Sequence, residues 1–326
     1  MRCAPRSRRW RSDARVQSFL VNLLTGLGYG LLLFMLSAGL TLIFSLLGVL
    51  NFAHASFYLL GAYFGVLLAA RLDPWAAFVL APLLVGGLGA LVERLLLRRV
   101  RAQGHLGEML LTFGLAYLIA EGAKLAWGAA PLAATVPAGL DGTWFPLYGA
   151  AFPRYRGFVM LVSVAMLLAL GLLLRVSQTG RIVRAALTHR AAVEALGHDV
   201  PRLTTLVFAA GTALAALAGA IGAPLTVVEP SMAGTVGSVV FAVVVIGGLG
   251  SLGGAFLASL LVGCAQTFAV ASTASLGSLA DALGATLPEA WRALSVAQCA
   301  PLVPYLLLVA VLVGRARGLF GEREDA

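Results

Sequence analysis

Residues 175–202 read Arg175-Val-Ser-Gln-Thr-Gly180-Arg181-Ile-Val-Arg184-Ala-Ala-Leu187-Thr188-His189-Arg190-Ala-Ala-Val-Glu194-Ala195-Leu196-Gly197-His198-Asp199-Val-Pro201-Arg202. Five arginines, two histidines and two acids crowd into this stretch, with long apolar runs on either side. A charged side chain at the centre of a membrane helix costs roughly 2.5–3.5 kcal/mol on insertion scales. The stretch therefore lies in water or against a protein, and the runs beside it lie in the bilayer. Its middle, Arg190 to Leu196, has good helix formers and stops at Gly197, a residue suited to the left-handed turn after a helix. Asp199 is placed to cap the next helix, and Pro201 fits its first turn. The pattern predicts a short surface helix, a glycine turn and the start of another span. Such a helix either receives force from a separate motor subunit or is a solvated connection. The stretch by itself fits both.

Working outward, the whole chain follows the same logic. Its 326 residues are 60% hydrophobic and only 11% charged, with mean hydropathy +0.95. Soluble domains carry about 25% charged residues. No Asp, Glu, Lys or Arg occurs from Val16 to Ala70 or from Pro230 to Ala280. About 20 apolar residues span a bilayer as a helix, so each run is long enough for more than one crossing. The expected fold class is an all-α polytopic membrane protein with about eight transmembrane helices, or about ten if both glycine-broken regions cross twice. The expected organisation is a basic tail over residues 1–18, a transmembrane domain over 19–314 carrying the polar loop 175–202, and a tail over 315–326.

The net charge of +9 is sorted by loop. Arginines gather before residue 16, at Arg94, Arg98, Arg99 and Arg101, in the opening stretch, and at Arg315, Arg317 and Arg323. By the positive-inside rule these four regions face the cytoplasm, so both termini are expected there. A basic face toward anionic membrane lipid explains the charge without nucleic acid as a partner. Cys3, Cys264 and Cys299 form no disulfide framework or metal spacing. Ser7-Arg8-Arg9-Trp10 has a twin-arginine look, but the apolar region after it is far longer than a signal peptide's, which predicts a retained tail.

Two regions read as interrupted helices. Leu47-Gly48-Val-Leu-Asn51-Phe-Ala-His54-Ala-Ser56 places polar side chains within membrane reach. Val236 to Val270 would be about 52 Å as one helix, too long for a single crossing. Gly247-Gly248-Leu-Gly250-Ser-Leu-Gly253-Gly254 interrupts it, which predicts two short segments. Paired broken helices in two halves point to a transport site. The candidate translocation residues are Asn51, His54, Ser56, Gly247, Gly248 and Gly250. Asn51 and His54 could coordinate a solute, relay a proton or hydrogen-bond across helices. The Pro-, Gly- and aromatic-rich residues 128–156, with Trp144 and Tyr148, read as one external loop and residues 273–292 as another.

Several chemistries are excluded. Gly248-Leu-Gly250-Ser-Leu-Gly253 matches the dinucleotide pattern, but no acid follows at about 20 residues and the element lies inside an apolar run of bilayer length. No phosphate-loop motif exists, and Lys124 is the only lysine. If ATP drives transport, another subunit hydrolyses it. No nucleophile–base arrangement and no metal site stands out, so no catalytic residue is assigned. An ion-coupled transporter using Glu108 or Glu121 is the alternative, although Glu121 can pair with Lys124 three residues on.

The motifs resemble those of the permease subunits of Liv-type branched-chain amino acid ABC importers, the LivH-like subclass. The resemblance rests on Gly48-Val-Leu-Asn51-Phe-Ala-His54 followed by Leu60-Gly61-Ala-Tyr63, on Gly180-Arg181-Ile-Val-Arg184 through Leu196-Gly197, and on Val245-Ile-Gly247-Gly248-Leu-Gly250-Ser251. It covers about residues 19–314. It implies that Arg181, Arg184, Glu194, Ala195, Leu196 and Gly197 belong to the loop that docks into the ATPase. It further implies a second related permease, two ATPase subunits holding ATP and Mg, an external substrate-binding protein, no cofactor in this chain, and a place in the bacterial inner membrane. This chain departs from the family pattern at Leu187-Thr188-His189 and at Ala55, where relatives carry glycine. Branched-chain amino acids, amides and urea are all substrates within the resemblance.

Overall fold

The computed structural model describes residues 6–147, 150–188, 190–282, 284–285 and 288–321. The first five residues, Tyr148, His189 and Arg323 lie outside the described residues.

The first apolar run becomes one long helix, α1 (Arg6–Leu47), because nothing between Val16 and Leu47 interrupts it. Its glycines are contact points. A Cβ at Gly30 would lie 2.7 Å from the carbonyl oxygen of Ser259, so α1 meets α11 (Leu252–Ala271) backbone to backbone. Without a hydrophobic drive between helices in lipid, close approach of this kind is what binds them. α2 (His54–Arg71) crosses α9 (Val200–Gly222) the same way, with Gly219 under the backbone of Tyr58 and Ala62. These four helices hold most of the buried core.

The rest wraps this centre. α3 (Pro74–Val92) is capped by Asp73, whose carboxylate accepts from Trp75 N at 2.8 Å, and runs through a π turn, Glu93–Leu97, into α4 (Arg98–Val100). α5 (His105–Trp127) returns to an antiparallel hairpin, β1 (Thr143–Leu147) with β2 (Ala150–Pro153). α6 (Arg154–Val176) leads to α7 (Gln178–Thr188) and α8 (Arg190–Ala195). α10 (Met232–Gly247) precedes α11. The short α12 (Leu276–Ala282), α13 (Glu289–Arg292) and α14 (Val296–Cys299) lead to α15 (Val303–Gly314). α5 and α15 turn large apolar side chains outward, Leu125 at 89% and Val313 at 84% exposure, as lipid- or partner-facing helices do.

Contacts sort the loops to two ends. At one end, Gly48 approaches His105, Ser45 meets Gly250, Arg98 bonds Pro201, and Gly318 lies over Gly248. This end therefore collects Arg94–Arg101, the 175–202 stretch and Arg315, and is the basic end. At the other, Phe19 contacts Phe268, Arg156 bonds Thr25, Tyr155 bonds Ile221 and Leu132 bridges Val228.

Among the described residues, seven helices are long and apolar enough to cross a membrane by length and composition. α2 and α10 are shorter passes between them. The expected all-α polytopic membrane fold is what forms. In the first interrupted region α1 completes a crossing before the break, and α2 runs back from within the bundle. The start of the first span, at Phe19, and the end of α15, at Arg315, lie at opposite ends of the bundle.

Candidate functional site

Gly48, with φ +69°, ends α1, and the chain folds back into the bundle. His54 Nε2 donates to the carbonyl of Leu36 at 2.9 Å. Leu36 lies 11 residues before Leu47, so α2 begins about 16 Å below the end of α1, near mid-depth. Asn51 Oδ1 accepts from Ala53 N at 3.1 Å and steadies the start of α2. α5 holds the returning segment. Thr112 Oγ1 accepts from Phe52 N at 3.3 Å, Phe113 meets Phe52 edge to face at 6.3 Å, and Ser56 Oγ donates to the carbonyl of Ala116 at 3.2 Å.

Beside this segment is a cavity of about 730 Å³. Asn51, His54 and Ser56 line it together with Tyr117 of α5, Gly234 and Gly237 of α10, and Tyr305 of α15. Tyr305 donates to Ser238 Oγ at 2.6 Å, joining α15 to α10 beside it. No Asp, Glu, Lys or Arg is among its lining residues. Asn51 Nδ2 and His54 Nδ1 are buried without hydrogen-bond partners. Because His54 Nε2 carries the proton that bonds Leu36, Nδ1 presents a lone pair. Both atoms sit beneath the cavity surface rather than on it, so a solute reaches them only when the wall shifts. A buried polar group left unpaired costs about 1–3 kcal/mol, which a polar solute could recover.

Gly247, Gly248 and Gly250 lie elsewhere. They form the second break, at the basic end, about 15 Å along α10 from Gly237. Gly248 (φ +99°) and Gly250 (φ +83°) turn the chain, and Ser45 Oγ donates to the carbonyl of Gly250 at 3.1 Å. Leu319 N and Phe320 N donate to the carbonyls of Ile246 and Gly247 at 2.8 and 3.0 Å, capping α10. Sequence reasoning placed both breaks on one path. The structure separates them.

The polar stretch follows its local reading in part. α8 stops at Ala195, Gly197 has φ +85°, and Asp199 Oδ1 accepts from Arg202 N at 2.9 Å. Glu194, Ala195, Leu196 and Gly197 are exposed, Leu196 at 78%. A second helix, α7, was not foreseen. Ser177 Oγ accepts from Gly180 N at 2.8 Å at its start, and Val183 and Ala186 are buried beneath it. Arg181 donates to the carbonyl of Val176 at 2.7 Å and Arg184 to that of Arg175 at 3.3 Å. Both therefore cap the end of α6, a structural task that basic residues near a helix C-terminus commonly perform.

The acids of the ion-coupled alternative do not line the cavity. Glu108 pairs with Arg101 at 3.0 Å, and Glu121 pairs with Lys124 at 2.5 Å on an exposed face. Sequence reasoning passed over Glu93, which is fully buried in the π turn. The Glu-x4-Arg-x2-Arg spacing to Arg98 and Arg101 was the signal available.

Comparison with known proteins identifies the family. Residues 22–312 match the family described as branched-chain amino acid transport system / permease component. The high-affinity branched-chain amino acid transport system permease protein LivH of Salmonella typhimurium is 27% identical over 268 residues, covering 78% of this chain and 86% of that protein. The corresponding permease protein BraD of Pseudomonas aeruginosa is 25% identical over 324 residues, covering 95% and 98%. A probable branched-chain amino acid transport permease protein LivH of Methanocaldococcus jannaschii is 27% identical over 267 residues, covering 77% and 82%. No solved structure gives a significant match. The chain belongs to the permease-component family of branched-chain amino acid transport systems, and is a multi-pass, membrane-spanning subunit of the ABC type.

Proposed function

We propose that this chain moves a branched-chain amino acid, or a related small polar solute of no net charge, inward across the bacterial cytoplasmic membrane. The cavity at the first break carries the reading. Its uncharged wall suits a solute whose charges cancel, its aromatic and aliphatic surface suits an apolar side chain, and Asn51, His54 and Ser56 supply hydrogen bonds. Asn51, His54 and Ser56 are assigned to the path. Gly247, Gly248 and Gly250 are assigned to a joint that lets α10 and α11 shift.

The basic end faces the cytoplasm in this reading, as the positive-inside rule asks, and takes the C-terminal tail with it. The hairpin end, with residues 128–156 and 273–292, receives an external substrate-binding protein. A second related permease covers the outward faces of α5 and α15. Two ATPase subunits hold ATP and Mg. They grip Glu194, Ala195, Leu196 and Gly197, while Arg181 and Arg184 hold α7 to α6 so that the grip is transmitted. The energy comes from the partners, and this chain contributes two states of different access.

The test is reconstitution of the complex with its ATPases and binding protein in vesicles, followed by uptake of radiolabelled leucine. Uptake that requires Mg-ATP and the binding protein supports the reading. Uptake driven by a proton gradient without ATP would overturn it.

A further inference from the structure

Four charged side chains meet where α3, α5 and α9 converge at the basic end. Glu93 is wholly buried and Glu108 nearly so. Glu93 Oε2 accepts from Thr205 Oγ1 at 2.6 Å and faces Arg98 at 3.6 Å, while Oε1 takes Arg101 at 3.4 Å. Arg101 Nε donates to Glu108 at 3.0 Å. Arg98 also donates to the carbonyl of Pro201 at 3.0 Å and to Thr205 Oγ1 at 2.9 Å. Two carboxylates and two guanidiniums balance, as burial of charge requires.

The backbone is shaped around this cluster. Glu93 opens the five-residue π turn, in a run of Glu-Arg-Leu-Leu-Leu that holds no glycine or proline. Those residues favour a regular α-helix, so tertiary pairing holds the turn open. Single π turns within helices are rare and concentrate at functional sites. Arg98 Nε is buried with no partner.

Both sides of the cluster lead to functional segments. Pro201 and Thr205 lie at the start of α9, directly after Gly197 and Asp199. Glu108 lies in the first turn of α5, and the next turns of α5 hold Phe52 and Ser56 through Thr112, Phe113 and Ala116. We infer that Glu93, Arg98, Arg101 and Glu108 are positioning residues that pass movement of the 175–202 stretch to the cavity wall. A pull on the start of α9 acts on Arg98 and Glu93 through Pro201 and Thr205, and Arg101 carries it to Glu108 and α5. The inference rests on the ATP-driven reading above.

The test uses the assembled complex with its ATPases and a thiol probe in the cavity. Gly234→Cys serves, because a Cβ there meets nothing within 4 Å. Cys3, Cys264 and Cys299 are replaced by Ser. Labelling of Gly234→Cys is timed with and without Mg-ATP and vanadate, and ATP hydrolysis is measured on the same preparation. In the parent, nucleotide changes the labelling rate by at least about tenfold, within the usual range of allosteric coupling. With Glu93→Gln, or with the milder Thr205→Val, that response collapses while hydrolysis continues. A response equal to the parent's in either assembled variant overturns the inference. So does a fall of response and hydrolysis in proportion, which is what loss of mere stability would give. If Glu93→Gln does not assemble, Thr205→Val decides alone. A parent that binds no ATPase and shows no nucleotide response sinks the ATP-driven reading itself, and this inference with it.

Discussion

The two glycine breaks look alike in sequence and do different work. At the first, Gly48 turns the chain back into the bundle for six residues before α2 begins, and that return brings Asn51, His54 and Ser56 to a cavity. At the second, four residues separate α10 from α11, both helix ends stay at the basic end, and backbone groups of Leu319 and Phe320 close over the turn. One break builds a cavity wall backed by unpaired polar atoms and the other a capped joint. The difference lies in the length of the return and in what covers it. Irregular backbone at membrane depth is tolerated where protein or a cavity satisfies it, and these are the two solutions.

The largest effect is expected where the joint is tightest. Gly248→Val places a β-branched side chain at φ +99° with its Cβ 2.5 Å from Gly321 N. The left-handed conformation and the overlap together cost roughly 2–5 kcal/mol. Thermal unfolding in detergent should show the loss, and wild-type stability for this variant would mean the joint is not packed as described.

At the first break the effect should fall on transport. His54→Ala removes a lone pair buried beneath the cavity wall, and the bond to Leu36 with it, while leaving both glycine turns untouched. A lost hydrogen bond of roughly 1.4 kcal/mol would raise the KM for uptake about tenfold. ATPase association should be unchanged. An unaltered KM would make His54 a cross-helix strut.

The smallest effect is expected at Gly250. A Cβ there has room, with Ser45 Oγ at 3.5 Å, so Gly250→Ala pays only for φ +83°, about 1 kcal/mol. A stability loss as large as that of Gly248→Val would erase the distinction between a crowded glycine and a merely left-handed one.

What the sequence made legible was local. Gly197, Asp199 and Pro201 announced a helix end and a helix start because capping depends on neighbours in the chain. The interruption near Gly248 was legible from an apolar run too long for one crossing and the glycine cluster within it. What stayed hidden depends on distant partners. The Glu93 cluster needs Thr205 and Glu108 brought from other helices. The role of Arg181 and Arg184 as caps needs the end of α6. Sequence grouped Gly247, Gly248 and Gly250 with Asn51 for lack of any signal that the two breaks lie at different depths.

The contrast between the breaks is tested most directly by a matched pair of cysteines. Gly234 lines the cavity, and Gly253 stands beside the second break. A Cβ at either meets nothing within 4 Å, so both substitutions should fold. Thiol labelling of Gly234→Cys and Gly253→Cys in the reconstituted complex is timed during ATP-driven turnover, with and without leucine supplied on the binding protein. Slower labelling of Gly234→Cys with leucine, and no change at Gly253→Cys, is the predicted result. Protection at Gly253→Cys with none at Gly234→Cys would place the path at the second break and contradict the account.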